Sequence, residues 1–172
     1  MNTPQSLLQA QSLNVLKELL YQVKGELASL EEVYATLLVR VENLTEKAER
    51  DELSTLLRRK SFFDRWHQLL DRCFEAGIES GVLLVDVDHF KKINDTRGHA
   101  AGDEVIRRMG SLLREFEASG AIVGRYGGEE FVVAFAGGQD RGLRIAQQIH
   151  EKAGDAAGVT VSMGLHCASH GE

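Results

Sequence analysis

Proline and cysteine are scarce in this chain of 172 residues, which contains one proline and two cysteines. Cys73 and Cys167 lie far apart and do not have the spacing of metal ligands, so we expect two free thiols, as in a reducing cytoplasm. No run approaches 18 apolar residues, so we expect no membrane insertion. The first residues lack the basic flank and apolar run of a secretory signal, and the simplest expected location is the cytoplasm.

An excess of basic residues is also absent. Lysine and arginine number 20 against 26 aspartates and glutamates, so the formal net charge is −6. This balance argues against a protein that binds nucleic acid or an anionic membrane through its net charge, and any phosphate site must be built locally. The length and a hydrophobic fraction of 43% suit one soluble domain with an appended element.

Glycine is nearly absent from the first part of the chain, where only Gly25 precedes Gly77; the other 16 of the 17 glycines follow from there. A segment poor in helix breakers, followed by one rich in them, predicts a long helix that leads into a turn-rich domain. We therefore divide the chain into an N-terminal helix over residues 1–50 and a second domain over residues 51–172.

The N-terminal segment carries an apolar heptad pattern, which we call the seam. Its positions alternate in steps of three and four, with no charged residue among them. They are Leu13, Leu16, Leu20, Val23, Leu27, Leu30, Tyr34, Leu37, Val41, Leu44 and Ala48. Leu19, Val33 and Leu38 flank the seam and widen it. The pattern favours a coiled coil between chains, with a four-helix arrangement as a variant, over a helix packed on its own domain.

Beyond residue 50 the apolar residues predict helices alternating with strands. In chain order these are a helix at about 60–75, a strand at 82–85, a helix carrying residues 105–116, strands at 121–123 and 131–135, a helix at 143–149 and a strand at 159–165. The strand-helix-strand-strand-helix-strand portion favours an α/β (α+β) sandwich of the ferredoxin type, with helices flanking one sheet.

Two carboxylates stand at the end of the first buried strand. Alternation along a strand places Asp86 and Asp88 on one face, with Val87 turned to the other. Carboxylates on a rigid strand suit a hard, oxygen-seeking cation such as Mg²⁺. The alternative is an acidic strand end that caps a neighbouring helix or loop.

A glycine pair lies between the two middle strands. Gly127 and Gly128 have the turn chemistry of a tight hairpin, and Glu129 and Glu130 follow them. Because adjacent strand residues point to opposite faces, only one of these glutamates can readily join Asp86 around a metal. The alternative is a glycine pair that only forms a turn.

Residues 90–103 combine basic and amide-bearing side chains. Lys91 and Lys92 follow the acidic pair, and backbone amides with a lysine can hold phosphates. Asn94 and Asp103 bracket a glycine-containing loop, and their side chains can hydrogen-bond a purine edge. The alternative is a loop whose charges are simply solvated.

Five segments together resemble the diguanylate cyclase family, which is named GGDEF after its hairpin. They are residues 51–56, 86–95, 98–103, 125–131 and 159–164, in the family's order. The hairpin here reads Gly-Gly-Glu-Glu-Phe, with Glu129 in the place of the name-giving aspartate. The resemblance covers roughly residues 51–168 and implies a nucleotide-cyclase or palm-type sheet.

This resemblance implies that two subunits, each with one GTP, face each other to form cyclic dimeric GMP (c-di-GMP) and two pyrophosphates. It also implies two Mg²⁺ or Mn²⁺ ions per site. Because no recognisable sensory domain accompanies the helix, a regulatory signal could come through helix register, an unidentified signalling partner or another part of the protein. A non-catalytic module that binds GTP or c-di-GMP is the alternative. The implied metal ligands are Asp86, Val87 and Glu129, the catalytic residues Glu129 and Glu130, and the substrate-binding residues Asn94, Asp103, Phe90 and Lys91; Arg125 would support the hairpin.

The sequence departs from the family pattern in three places. Ala118 and Ala121 replace the arginine and aspartate of the family's inhibitory product site, so we expect that site to be absent. Arg58 replaces an asparagine near the start of the first helix of the domain. The family's C-terminal helix would follow residue 168, and we expect this chain to lack it, which implies a shortened form or weaker activity.

Overall fold

The computed structural model describes the backbone of residues 4–168, and the side chains of residues 13–42 and 44–168. Residues 1–3 and 169–172 of the two predicted domains therefore lie outside the described residues. The chain divides into two compact units with the boundary between Glu46 and Lys47. Each unit is considered by itself.

The first unit is part of a single helix, α1, which spans Pro4–Glu49. The long N-terminal helix is thereby confirmed. Large apolar side chains along it, from Leu13 to Leu44, are each between 46% and 77% exposed. The coiled coil stays a prediction, but these residues cover no core within their own unit. No described helix has an apolar stretch long enough to cross a membrane.

The second unit is one sheet with helices on its faces. Its elements are β1 (Leu57–Arg58), α2 (Arg59–Ala76), β2 (Ser80–Val87), α3 (Phe90–Arg97), α4 (His99–Arg114), a 3₁₀ turn (Glu115–Ser119), β3 (Ile122–Arg125), β4 (Glu130–Ala136), α5 (Gln139–Ala157) and β5 (Val161–Ala168). The strand order is β1-β3-β4-β2-β5, with β1 parallel to β3 and the other pairs antiparallel. The predicted ferredoxin-type order of β2 to β5 is confirmed.

Two apolar clusters lie on opposite faces of this sheet. Leu83, Val85 and Val87 alternate along β2 and belong to the larger cluster, which also contains buried residues of α4 and α5. The smaller cluster joins Phe62 and Leu69 of α2 to buried residues of β4. Asp86 therefore lies on the α2 side of the sheet, because it alternates with the larger cluster's residues.

The α2 side of the sheet is open at β2 and β5. Leu84, in the middle of the sheet, is 42% exposed, and Ser162, Gly164 and His166 of β5 are exposed beside it. Asp86 and Ser162 are register partners on this same side. The carboxyl end of β2 is thus accessible from this face.

Three local predictions need correction. The predicted loop between Asn94 and Asp103 is wrong: Asn94 lies in α3 and Asp103 in α4, and the two helices meet at Gly98, whose φ is 82°. The helix predicted at 143–149 spans 19 residues, because polar side chains surround its buried stripe. The two-residue strand β1 was not predicted, since only pairing with β3 defines it.

Candidate active site

The register between β2 and β4 brings the acidic residues of two motifs together. Asp86 is paired with Glu130 across the two strands, and the Val87 N–H donates to the Glu129 carbonyl oxygen at 3.3 Å. Asp86, Glu129 and Glu130 are all half-buried at this end of the sheet. The predicted metal ligands Asp86, Val87 and Glu129 therefore lie on adjoining backbone.

The two hairpin glutamates are not equivalent. Paired residues of adjacent strands share a face, so Glu130 lies on the same side as Asp86. Glu129 precedes the first residue of β4, and strand alternation does not determine the direction of its side chain. Strand pairing keeps Glu130 close to Asp86, whereas the backbone hydrogen bond between Val87 and Glu129 keeps Glu129 close to it.

The hairpin predicted at Gly127 and Gly128 joins β3 to β4. The connection spans residues 126–129, and neither glycine has a positive φ. A Cβ on Gly127 would lie 2.5 Å from Glu130 Oε2. Gly127 thus leaves free the space that the Glu130 carboxylate occupies, and a side chain there would require that carboxylate to move.

Arg125 holds this hairpin, as predicted. Its Nε donates to the carbonyl oxygens of Gly127 and Gly128, both at 3.2 Å, and its Nη2 donates to Gly128 O at 2.7 Å. Its Nη1 donates to Asp51 Oδ1 at 2.9 Å. The guanidinium thus connects the hairpin to the turn that begins the second domain.

The Asp51 carboxylate organises that turn. Oδ1 accepts the N–H and the hydroxyl of Ser54, both at 2.8 Å, in addition to Arg125. Burial, the largest single influence, acts to raise the pKa of Asp51, but these hydrogen bonds together lower it below its usual value. This role of Asp51 was not predicted, although residues 51–56 contribute to the resemblance.

The junction of α3 and α4 brings Asn94 and Asp103 together. A Cβ on Gly102 would overlap Asn94 Oδ1 and would lie 3.1 Å from the Phe90 ring. Asn94 therefore rests on the backbone of Gly102, directly beside Asp103. Asn94 is half-buried and Asp103 is exposed, so their polar groups are presented at the surface of this junction.

The first turn of α3 contains the predicted phosphate contacts. Phe90 is half-buried against the larger cluster, whereas Lys91 and Lys92 are exposed. His89 precedes α3 in the left-handed region, with φ of 57°. The exposed lysine side chains and the amide groups of a helix N-terminus are on adjoining residues, which is an arrangement that suits an anion.

Asp88 is hydrogen-bonded to residues at the start of β5, and these contacts were not predicted. Its two carboxylate oxygens accept hydrogen bonds from the hydroxyls of Thr160 and Ser162, each at 2.6 Å. The bonds from Ser162 and then Thr160 are the main causes that lower the pKa of Asp88. Within residues 159–164, which contribute to the resemblance, the alternating hydroxyls of Thr160 and Ser162 are the sequence signal for these contacts.

The donor set suits a hard divalent cation that keeps part of its coordination for substrate. No three His, Cys, Asp or Glu side chains in the described part of the chain are grouped closely enough to hold an ion alone. Two carboxylates and the Val87 carbonyl would supply oxygen ligands, and Mg²⁺ commonly takes the rest from water and phosphates. The residues present therefore fit Mg²⁺ or Mn²⁺.

Ala118 lies in the 3₁₀ turn, and Ala121 follows that turn, directly after Gly120. Ala118 is exposed and Ala121 is 6% exposed. Neither methyl group can make a charged contact with a phosphate. The expectation that no inhibitory product site is formed here stays a prediction.

Comparison with known proteins identifies the family. The family model for "Diguanylate cyclase, GGDEF domain" matches residues 48–172. Diguanylate cyclase VdcA of Vibrio cholerae is 37% identical over 101 residues, which are 59% of this chain and 28% of that protein. Cyclic di-GMP phosphodiesterase NbdA of Pseudomonas aeruginosa is 33% identical over 106 residues, or 62% of this chain and 14% of that protein. The chain thus spans less than a third of the length of either relative.

A solved structure resembles a larger share of the chain. The coiled coil and GGDEF domain of DgcB from Caulobacter crescentus, in complex with c-di-GMP, has a TM-score of 0.73 and 27% identity. The match covers 87% of this chain and 85% of that one. From the matched family model, the shared fold and the acidic hairpin beside the end of β2, the chain belongs to the GGDEF family of diguanylate cyclase domains.

Proposed function

We propose that this chain condenses two molecules of GTP into c-di-GMP and releases two pyrophosphates. The observation that carries the proposal is the meeting of Asp86 and Glu130 across β2 and β4, with Glu129 beside them. Phosphoryl transfer depends mainly on positioning and on neutralising charge, and carboxylates at one rigid sheet end suit both tasks.

Asp86, Glu129 and the Val87 carbonyl would hold two Mg²⁺ or Mn²⁺ ions, which when bound neutralise charge on the phosphates and on the attacking oxygen. Glu129 would accept the proton of the attacking 3′-hydroxyl. A bond forms between that oxygen and the α-phosphorus of the other nucleotide, and the bond from the α-phosphorus to the bridging oxygen breaks. The same exchange in the second direction closes the ring and releases the second pyrophosphate.

Glu130 would support this site from the Asp86 side of the sheet. Its carboxylate lies over Gly127 and would add a second negative group beside the attacking hydroxyl. We assign it a catalytic role beside Glu129, because the register holds it on the same face as Asp86.

Asn94 and Asp103 would recognise guanine. The Asp103 carboxylate would accept hydrogen bonds from the N1–H and exocyclic amine of guanine, which adenine does not offer in that pattern. Asn94, supported by Gly102, would contact the same base edge. A mismatched base would cover these polar groups without pairing them, so the site should prefer GTP to ATP.

The triphosphate would lie at the start of α3. The Phe90–Lys91 backbone and the Lys91 ammonium group supply donors for it.

Because Ala118 and Ala121 carry no charge, c-di-GMP should not inhibit by binding at that position.

Two copies of the chain must meet, because each would bind one GTP. The exposed apolar seam of α1 supports a homodimer through a coiled coil, and the DgcB structure contains a coiled coil together with its GGDEF domain. Joining two catalytic units by a short connection raises their effective concentration to about the mM range. The seam ends at Ala48, three residues before Asp51.

The test is incubation of the purified chain with GTP and Mg²⁺, followed by chromatography of the products. We expect c-di-GMP and pyrophosphate in a ratio of about one to two from the stoichiometry, with much less product from ATP. Absence of any cyclic product at high protein concentration would contradict the proposal.

A second candidate is a regulatory module that binds GTP without turnover. It is supported by the similarity to NbdA, a protein with a phosphodiesterase name. Tight GTP binding without pyrophosphate release would favour this candidate, and product formation would exclude it.

A further inference from the structure

The turn between β2 and α3 contains a residue in a rarely adopted backbone conformation. His89 has φ of 57° and ψ of 25°, the left-handed region that side chains with a Cβ disfavour. The His89 side chain makes no capping hydrogen bond to α3. Such a conformation persists only where surrounding contacts determine it.

Asp88, directly before His89, supplies those contacts. Its Oδ1 accepts the Ser162 hydroxyl and its Oδ2 accepts the Thr160 hydroxyl, each at 2.6 Å. Its backbone N–H donates to the Thr160 carbonyl oxygen at 3.0 Å. We call these three residues the Asp88 clamp. It attaches the turn to the start of β5, through short charge-assisted bonds that are stronger than neutral ones.

The clamp acts on the backbone that follows it. Phe90 and Lys91 come one and two residues after His89 and form the first turn of α3. The first N–H groups of a helix have no carbonyl partner within it, so their direction depends on how the helix begins. Here the helix begins from the turn that the clamp holds.

We propose that Asp88, held by Thr160 and Ser162, is a positioning residue that aims the first turn of α3 at the nucleotide's triphosphate. The proposal rests on the proposed function for the identity of the nucleotide. Asp88 acts through the turn and is not a metal ligand. Its two carboxylate oxygens are each engaged by a hydroxyl, which distinguishes it from Asp86.

The clamp should contribute to binding of the nucleotide's phosphates and not to binding of its base. Asn94 lies in the second half of α3 and Asp103 in α4, and Asn94 packs on Gly102 of α4. Loss of the clamp should therefore weaken binding of a triphosphate far more than binding of the bare nucleoside.

The experiment compares two ligands in the full chain with Mg²⁺, by calorimetry. One is the α,β-methylene analogue of GTP, which cannot be cleaved at the reacting bond, and the other is guanosine. In the Thr160→Val/Ser162→Ala variant, we expect the dissociation constant of the analogue to rise at least about tenfold, and that of guanosine less than about twofold. The pair Thr160→Ser/Ser162→Thr keeps both hydroxyls and should restore binding.

Ser111→Ala serves as the matched control, because it removes an exposed hydroxyl whose bond stays within α4. Analogue affinity like that of the unaltered chain, or an equal loss for guanosine, would overturn the proposal. Failure of the restoring pair would do so as well. Circular dichroism of each variant checks that the fold is kept.

Kinetics of Asp88→Ala distinguish positioning from metal binding. We expect a higher KM for GTP with a smaller change in kcat, and an unchanged Mg²⁺ concentration for half-maximal activity. A large rise in that Mg²⁺ concentration would make Asp88 a ligand and overturn the proposal. If the unaltered chain makes no c-di-GMP, the proposed function fails, whereas the binding comparison still decides the role of the clamp.

Discussion

Glu129 and Glu130 have the same side chain but experience different constraints. The Glu130 carboxylate lies against Gly127, and its backbone is paired with Asp86 in the sheet. Glu129 stands one residue before the strand, with its carbonyl bonded to Val87. The chain thus presents one glutamate held within the sheet and one at its margin, which under the proposed function would meet the substrate hydroxyl.

Replacing Glu129 by Gln should remove turnover and keep the fold. The change removes a negative metal ligand and the proton acceptor, so we expect product formation to fall by at least about a hundredfold. The measurement is the initial rate of c-di-GMP formation at saturating GTP. Glu151→Gln, an exposed residue of α5 far along the chain, is the control. Near-normal rates in Glu129→Gln would refute the assignment.

Gly102 offers a second test at the scale of one residue. Alanine there should strengthen the helix by up to about 1 kcal/mol through its propensity, but its methyl would displace the Asn94 amide. We therefore expect Gly102→Ala to weaken GTP binding by about tenfold without a matching loss of stability. Calorimetry and thermal unfolding measure the two effects.

Gly154→Ala is the matched control for this prediction, since nothing lies within 4 Å of a Cβ at that helical position. It should stabilise the chain by a similar amount and leave GTP affinity unchanged. If Gly102→Ala binds GTP as tightly as this control does, Asn94 does not depend on the space at Gly102.

At the scale of elements, the turn over residues 51–56 is the connection between α1 and the sheet. Thr55 has a positive φ of 61°, and a Cβ on Gly110 of α4 would overlap the Ser54 carbonyl oxygen. The turn is thus closely packed against α4, and Asp51 joins it to Arg125. A substitution at Asp51 should therefore disturb the hairpin as well as the turn.

The stability of this turn should depend on pH through Asp51. Its pKa is lower in the folded chain than the unfolded value near 3.9, so the stabilisation is present above about pH 4. It is lost as the pH falls further, through the folded pKa. We expect Asp51→Asn to lower the free energy of unfolding by about 1–2 kcal/mol at pH 7. The figure is kept small because water reaches this half-buried carboxylate and screens its interactions. Below pH 4 the loss should be smaller.

Urea unfolding at a series of pH values measures this difference. Asp155→Asn removes one exposed charge from α5 and should change stability by less than about 0.5 kcal/mol. An Asp51→Asn cost that is the same at pH 3 and pH 7 would contradict the assigned cause.

At the scale of the whole molecule, most of the exposed large apolar side chains among the described residues lie on α1. Seam residues such as Leu27 and Leu30 are 54% and 64% exposed. Replacing both by Glu would place like charges in the seam of the proposed coiled coil and should dissociate it. Activity should then fall and become steeply dependent on protein concentration, while each chain still binds GTP. Sedimentation and rates at several concentrations measure this.

The control places the same two charges outside the seam, in Gln22→Glu/Ser29→Glu. This variant should sediment and react like the unaltered chain. If Leu27→Glu/Leu30→Glu stays dimeric, or is fully active as a dilute monomer, the seam is not the dimer contact.

The sequence alone determined the features that repeat or alternate. The periodic seam predicted α1, and short apolar runs bounded by glycine or polar residues predicted β2 to β5, because buried segments need apolar side chains. The motif residues Asp86, Asn94, Asp103 and Glu129 could be named because their order and spacing resemble a family. These are local signals, because each is carried by the residues of one continuous segment.

The tertiary structure alone decided which distant residues touch. Asp88 meets Thr160 and Ser162 across more than 70 positions, and Asp51 meets Arg125 across a similar separation. At Gly102 and Gly127 the space that a Cβ would take is occupied by the Asn94 and Glu130 side chains, and neither glycine has a positive φ. No period or propensity encodes such contacts, because they arise only when sheet register and helix packing bring separate segments into one place.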